Sequence, residues 1–185
     1  MKLHVVSKGI FHPTIFCRLA LRKTLSVYPG VVFSNRMDSI DGIGNDDTDA
    51  VLLYFHEKLI GEGTLSSLVR FVEKGGLLLC LHGALASFKD IPVYNELTGS
   101  RFTGHGKTRE INAKGIMDLS VIDEPYEFEL SEDCSLLLSE GNLPVCWIRK
   151  HGLGKVAGLA PGHKFNTMRN PDFKNMIQYI LNEYS

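Results

Sequence analysis

Residues 75–88 read Gly-Gly-Leu-Leu-Leu-Cys-Leu-His-Gly-Ala-Leu-Ala-Ser-Phe. The apolar run Leu77–Leu81 has the length of a strand buried on both faces, and the two glycines before it end an amphipathic segment. His82 and Gly83 then lead into helix-forming sequence, so the stretch predicts a strand, a tight turn and a helix. In an open α/β sheet, this junction at the carboxyl edge of a central strand is where ligands bind and nucleophile elbows sit.

His82 therefore occupies a position at which chemistry is common, although a single histidine in a turn is often a hydrogen-bonded structural residue. The chain has seven histidines, and others also follow apolar runs or lie in glycine-flanked loops. Such positions converge on one edge of a parallel sheet. The other histidines in such positions are His56 after Val51–Phe55, His163 after 156–161, and His105 in Phe-Thr-Gly-His-Gly.

The apolar runs recur with helical segments between them, which predicts an α/β fold with a doubly wound, mainly parallel sheet. A length of 185 residues suits a single domain, 1–185. The expected strands are Leu3–Val6, Val31–Phe33, Val51–Phe55, Leu77–Leu81 and Lys155–Leu159. Leu77–Leu81 is the expected central strand.

The expected helices are Pro13–Val27, with an apolar face of Phe16, Leu19 and Ala20, then Thr64–Lys74, Val93–Leu97 and one that begins at Asn170-Pro171. The segment Asp38–Asp49 is rich in Asp, Gly and Asn and predicts a solvated surface loop. Gly99–Gly106 is expected to be a loop, Ile111–Leu138 an irregular β-rich excursion, and Val145–Leu159 a β-hairpin.

Composition excludes several classes of function. The formal charge of −1 and a pI near 6.6 give no basic footprint, so we expect no nucleic-acid partner. The N-terminus opens directly into a strand, and no apolar run approaches a membrane span, which predicts a soluble, cytoplasmic protein with no membrane partner. The four cysteines lack paired spacing, so a disulfide framework is not expected.

Several motifs, in this order, resemble the trehalose-utilisation (ThuA-like) family. They are Gly75–Ala84, Tyr94–His105, Pro144–Trp147, Gly152–Val156, Gly162-His163 and Asn170–Phe173. The resemblance covers nearly the whole chain. It implies the flavodoxin-like three-layer sandwich of class I glutamine amidotransferases, and it implies a protein that acts on or binds a sugar or sugar-derived small molecule.

The chain departs from the amidotransferases at the elbow, where His82 stands in place of their cysteine. Cys80 lies two residues earlier, inside the strand, where apolar surroundings make a thiol a poor nucleophile. We therefore expect no glutaminase chemistry. The segment Asp123–Asp133 also departs from the family pattern, so no role is transferred to Glu132 or Asp133.

The resemblance places His82, His105 and His163 at one edge of the sheet, and two interpretations follow. In the first they form the polar floor of a site for a polyhydroxylated ligand, with His82 or His163 as general acid or base. In the second they bind a divalent metal such as zinc, because three histidines with an open position form a known catalytic arrangement. The first is preferred. The expected ligand-binding residues around them are His12, Tyr54, His56, Gly83, Glu96, Arg101 and Lys107.

A third interpretation is a ligand-binding or interaction module that has kept the amidotransferase-like fold without catalysis, because a fold does not determine a function. The expected partner is then still a small, sugar-like molecule, or a second copy of the chain in a homo-oligomer. Measurable turnover would separate this interpretation from an enzyme.

Overall fold

The structure, a computed structural model, describes residues 1–9, 13–43 and 47–185. Its strands are β1 (Lys2–Ser7), β2 (Gly30–Ser34), β3 (Ala50–Tyr54), β4 (Leu77–Leu81), β5 (Ser100–His105), β6 (Arg109–Gly115), β7 (Leu119–Asp123), β8 (Tyr126–Leu130), β9 (Ser135–Glu140), β10 (Leu143–His151) and β11 (Gly154–Leu159). Its helices are α1 (Ile15–Leu25), α2 (Glu62–Glu73), α3 (Gly83–Ala86), α4 (Pro92–Thr98), α5 (Phe165–Arg169) and α6 (Pro171–Tyr184), with a 3₁₀ helix at Met37–Ile40.

Over these residues, one nine-stranded sheet has the order β2-β1-β3-β4-β11-β10-β9-β6-β7, and β5 pairs with β8 in a small second sheet. Strands β2, β1, β3, β4 and β11 are parallel to their neighbours within this group. Strand β4 lies between β3 and β11, which confirms it as a central strand. The carboxyl ends of β1, β3, β4 and β11 consequently meet at one edge, the edge predicted to carry the site.

Strand β4 is apolar throughout because both of its faces are covered. Leu77, Leu79 and Leu81 face a core formed with α1 and α6. Leu78 and Cys80 face a second core formed with α2 and α4. Helices on both faces of the sheet confirm the predicted three-layer α/β architecture.

Helix α1 buries a different face from the predicted one. Phe16 and Leu19 are 62% and 55% exposed, and only Ala20 of the predicted face is buried. The apolar pattern predicted the wrong face because the buried face includes a polar residue, Thr24. Its hydroxyl donates to the Ala20 carbonyl at 3.1 Å inside the helix. The buried residues are Cys17, Ala20, Leu21, Thr24 and Leu25.

The prediction of a solvated surface loop at Asp38–Asp49 is partly wrong. Ile40 and Ile43 are buried in the core that α2 covers. The Thr64 hydroxyl of α2 donates to the Asp41 carboxylate at 2.7 Å, which fixes the segment on that helix. Residues 44–46 of this segment lie outside the described part of the chain.

The prediction of a loop at Gly99–Gly106 is also wrong, because residues 100–105 form β5. Strand β5 pairs antiparallel with β8, with His105 opposite Tyr126. The Phe102 ring packs on the rings of Tyr126 and Phe128 at centroid distances of 4.9 and 5.8 Å. This strand is stabilised by a partner distant in sequence, which its own weak apolar pattern could not indicate.

The helices and the hairpin expected in the second half of the chain are confirmed, whereas the excursion is not irregular but consists of paired antiparallel strands. The excursion after β5 consists of β6 to β9, and β10 and β11 form the predicted antiparallel hairpin. Asn170 caps α6, since its side chain accepts from the Phe173 amide at 3.1 Å. None of the helices in the described parts of the chain is long and apolar enough to cross a membrane.

Candidate functional site

The turn after β4 is held tightly against β3. His82 precedes α3 with φ 47° and ψ −109°, a left-handed conformation that is strained for a residue with a side chain. A side chain at Gly83 would place its Cβ 2.6 Å from the Phe55 carbonyl oxygen, so the backbone needs glycine there. The predicted strand, turn and helix are confirmed. Helix α3 has only four residues, so the field of its dipole is weak.

The His82 ring is buried, at 1% exposure, and both of its nitrogens have partners. Nδ1 lies 2.8 Å from the Ala160 carbonyl oxygen, which can only accept, so Nδ1 carries the proton. In the neutral ring Nε2 then accepts from the Tyr126 hydroxyl at 3.0 Å. Burial, followed by the charges of Glu124 and Asp123, raises the pKa of Tyr126, which keeps this hydroxyl protonated as a donor.

His163 and Glu124 form the part of the site that solvent and ligands can reach. His163 follows β11, and its ring centroid lies 5.5 Å from that of His82. Its Nε2 is 3.6 Å from Glu124 Oε1, and the two side chains are 24% and 19% exposed. A histidine beside a carboxylate at the rim of a buried cluster is suited to proton transfer or to metal binding.

Asp123 holds the segment that carries His163 in place. Its carboxylate is completely buried at the end of β7. It accepts hydrogen bonds from the amides of Gly162, His163 and Lys164 at 3.1, 3.1 and 3.3 Å, and from that of Glu124 at 2.8 Å. Four amide donors offset the cost of burying this carboxylate. Asp123 is thus a positioning residue that connects β7 to the turn after β11.

The sequence interpretation did not include Asp123 and Glu124. The sequence contained a usable signal, because the alternation of a strand places Asp123 on the same face as Leu119 and Val121. In the structure all three residues are buried. The acidic residues considered instead lie elsewhere. Glu132 is exposed, and Asp133 forms an ion pair with Arg149 at 2.7 Å.

His105 is exposed and lies beside the rings of Phe102 and Tyr126. Its ring centroid is 5.8 Å from that of Tyr126, and the Tyr126 ring is 4.3 Å from that of His82. Tyr126 therefore links His105 to the other two histidines. Phe102, which packs on Tyr126, also lines a cleft of about 340 Å³. It is lined by His56, Glu57, Lys58, Ala86, Phe88, Lys89, Asp90 and Phe102.

The predicted ligand-binding residues have different surroundings. His56 lines the cleft, whereas Tyr54 and Gly83 are buried beneath it. The Tyr54 hydroxyl donates to the Gly162 carbonyl at 2.6 Å and so supports the segment before His163. Lys107 is exposed just after β5.

The structure does not bring Glu96 and Arg101 to the histidines. Glu96 is exposed on α4, and Arg101 pairs with Glu129 at 2.5 Å on the surface of the small sheet. Arg101 is four positions before His105 on β5, which is about 13 Å along a strand. His12 lies outside the described residues.

Cys80 is placed as the sequence predicted. It is fully buried in β4, and its Sγ lies 3.5 Å from the Tyr94 hydroxyl oxygen. Burial raises the pKa of the Cys80 thiol to about 12. Such a thiol is neither accessible nor ionised, so it lacks the properties of an elbow nucleophile.

A central parallel strand that ends in a tight turn, with helices on both faces, defines a flavodoxin-like α/β fold, here with histidine at the elbow. The chain belongs to the ThuA family, described as trehalose utilisation, whose model matches residues 22–179. A comparison with curated proteins finds no significant match.

Solved structures with the same fold include two described as ThuA-like proteins. The one from Bacteroides uniformis has a TM-score of 0.75 at 10% identity, over 95% of this chain and 87% of that one. The one from Parabacteroides merdae has a TM-score of 0.73 at 13% identity, over 99% and 90%. A GH42 β-galactosidase from G. stearothermophilus has a TM-score of 0.65 at 12% identity, over 98% of this chain but only 30% of the enzyme. At these identities the likeness concerns the fold alone.

Proposed function

We propose that this ThuA-family protein binds a sugar or sugar-derived small molecule at the carboxyl edge of its sheet, with His163 and Glu124 as the acid/base pair. The observation that carries the proposal is the 3.6 Å separation of His163 Nε2 and Glu124 Oε1 at the accessible rim of a buried cluster. A carboxylate beside an imidazole orients the ring. The ring can then exchange a proton with a ligand hydroxyl.

The surroundings suit a polyhydroxylated ligand. Small-molecule sites combine aromatic walls with a few directed polar groups and commonly enclose about 300–1,000 Å³. Phe102 lines the cleft of about 340 Å³, and its ring stacks with that of His105 at a centroid distance of 6.4 Å. The family description, trehalose utilisation, leads us to sugars as the ligand class.

The histidines have separate roles in this proposal. His163 exchanges the proton. His82, buried and hydrogen-bonded at both nitrogens, positions Tyr126 and the turn. His105, exposed beside Tyr126, contacts the ligand. Asp123 fixes the backbone of His163 through its bonds to the neighbouring amides.

The test is direct binding of trehalose and glucose to the purified protein by isothermal titration calorimetry. His163→Ala and Glu124→Gln should each weaken binding by at least about tenfold, which corresponds to about 1.4 kcal/mol. The matched control is His151→Ala, because His151 lies at the β10–β11 turn, at the amino end of β11, and should bind as the wild type does.

Turnover then separates enzyme from binding module. Product formation that His163→Ala abolishes supports the acid/base role. Sugar binding without turnover in any member of the panel supports the non-catalytic module at the same site. A wild-type protein that binds none of these sugars, or variants that bind them unchanged, would contradict the proposal.

A further inference from the structure

Three side chains from separate elements meet at the site with the chemistry of metal ligands. His82, Glu124 and His163 can each offer one ligand atom, and these atoms all lie within 4.8 Å of one another. The metal interpretation from sequence used His105 as the third ligand. Among the residues that the structure describes, Glu124 takes that place, and His105 is not part of the group.

Two imidazoles and one carboxylate are a ligand set of catalytic zinc sites, which keep a further position for water or substrate. Two ligand atoms on a tetrahedral zinc ion are about 3.3 Å apart, given metal–ligand distances near 2.0–2.1 Å. His163 Nε2 and Glu124 Oε1, at 3.6 Å, are already close to that spacing. The carboxylate also offsets part of the charge of the ion.

The hydrogen bonds around the group have the arrangement that metal-binding histidines need. A ligating histidine donates its other ring N–H to a carbonyl or carboxylate, which fixes the tautomer and orients the ring. His82 Nδ1 makes such a bond to the Ala160 carbonyl at 2.8 Å, so its lone pair is on Nε2. The Asp123 carboxylate fixes the backbone that carries His163.

The strained backbone of His82 supports the same conclusion. Its φ of 47° costs free energy, and its Cβ lies 3.0 Å from the position that a Cβ on Gly162 would take. The protein therefore keeps the imidazole in a position that a relaxed turn would not provide. Strain of this kind clusters at functional sites.

We propose that His82, Glu124 and His163 bind one divalent cation, for which zinc is the best match. Binding requires the Tyr126 hydroxyl to leave His82 Nε2 and the three ligand atoms to contract around the ion. Tyr126 is then left beside the open coordination position. The inference rests on the proposed function and changes one role at the same site: with the ion bound, His163 and Glu124 would hold the metal in place of exchanging a proton themselves.

The experiment is a zinc titration of the full chain after dialysis against a chelator, by competition with a chromophoric indicator. Cobalt substitution then reports the coordination through its visible absorption. We expect one ion per chain with tetrahedral cobalt bands. Glu124→Gln and His163→Ala should lower zinc affinity at least about tenfold. His151→Ala is the matched control and should keep wild-type affinity, with folding checked for each variant by circular dichroism.

Tyr126→Phe provides a second, independent readout. It removes the hydroxyl that competes for His82 Nε2, so zinc affinity should stay the same or increase. A wild type that binds no zinc, a Glu124→Gln variant with unchanged affinity, or an equal loss in His105→Ala would each overturn the inference. Sugar binding by a protein that binds no zinc would overturn the inference and leave the proposed function intact, whereas zinc binding without sugar binding does the reverse.

Discussion

At the scale of single residues, the site is built by buried polar groups that support exposed ones. Asp123 and His82 are buried and hydrogen-bonded, and neither presents a reactive atom to solvent. His163 and Glu124 are partly exposed, and their backbone amides both donate to the Asp123 carboxylate. The Asp123 carboxylate can be completely buried because four backbone amides donate hydrogen bonds to it. Without the carboxylate, these four amides would have to find other acceptors.

Removal of the Asp123 carboxylate should therefore destabilise the fold. Asp123→Ala leaves four amides without their acceptor, and each buried unsatisfied group costs about 1–3 kcal/mol. Allowing for solvent access to some of them, we expect a loss of about 3 kcal/mol or more. Urea denaturation followed by the fluorescence of the single tryptophan, Trp147, measures it. Glu132→Ala, at an exposed carboxylate, should change stability by less than about 0.5 kcal/mol. Equal stabilities for the two variants would contradict the role given to Asp123.

The thiol of Cys80 should be unreactive in the folded protein. With a pKa of about 12, its thiolate fraction near pH 8 is only about 10⁻⁴, and the strand also shields it from reagents. Cys134 is half-buried and should be alkylated first by iodoacetamide. Peptide mapping by mass spectrometry after brief labelling distinguishes the two. Labelling of Cys80 at the rate of Cys134 would show that the β4 core opens readily.

At the scale of elements, the register of each helix on the sheet decides which residues matter for stability. Helix α1 contains two leucines two positions apart with opposite surroundings: Leu21 is completely buried and Leu19 is 55% exposed. Small buried residues, Cys17 and Ala20, let this face approach the sheet closely. The face with Phe16 and Leu19 is left to solvent.

These two leucines give a matched test of the helix face. Leu21→Ala should lower the free energy of unfolding by about 2–5 kcal/mol, because it opens a cavity in the core. Leu19→Ala should change it by less than about 1 kcal/mol, because alanine keeps the helix propensity and little buried contact is lost. Chemical denaturation of both variants measures the difference. If Leu19→Ala were the more destabilising, the face predicted from sequence would be right after all.

Local patterns predicted the elements whose stability is local in origin. The apolar run Leu77–Leu81 and the helical spacing in α2 and α6 are visible in the sequence, and all three elements form. Strand β5 was missed because it depends on β8. The role of Asp123 was missed for the same reason, since three of its amide partners follow it by 39 to 41 residues. Spacing alone cannot locate such partners.

At the scale of the whole molecule, the antiparallel extension of the sheet completes the site. The chain leaves the parallel strands after α4, forms β5 to β9, and returns through β10 to β11 beside β4. On the way, β7 reaches α5 and the start of α6, where the Thr167 hydroxyl donates to the Ile122 carbonyl and the Asn170 side-chain amide donates to the Ser120 carbonyl. Glu124, directly after β7, thus comes from the antiparallel extension, and His163 follows the parallel strand β11. The site can form only when both parts are folded.

The core buries thiol and phenol groups in their protonated form, and this makes the stability of the protein sensitive to alkaline pH. Burial raises the pKa of the Cys80 thiol from 9.0 to about 12, and it also raises the pKa of the Tyr54, Tyr94 and Tyr126 hydroxyls. Between the unfolded and folded pKa values the folded protein holds protons that the unfolded chain has released. The stability from these groups is therefore fully present below about pH 9 and is lost as the pH rises towards about 12.

The contribution of one group can be isolated. Each raised pKa gives the free energy of unfolding a slope of at most about −1.4 kcal/mol per pH unit in that window. Urea denaturation of the wild type at intervals from about pH 8 to about pH 11 should show a decline that begins near pH 9. Cys80→Ala lacks the thiol, so its slope above pH 9 should be shallower by up to about 1.4 kcal/mol per pH unit, whatever the cavity costs at neutral pH. Parallel curves for the two proteins would mean that Cys80 ionises in the folded state as it does in the unfolded chain, and that the core around β4 admits water.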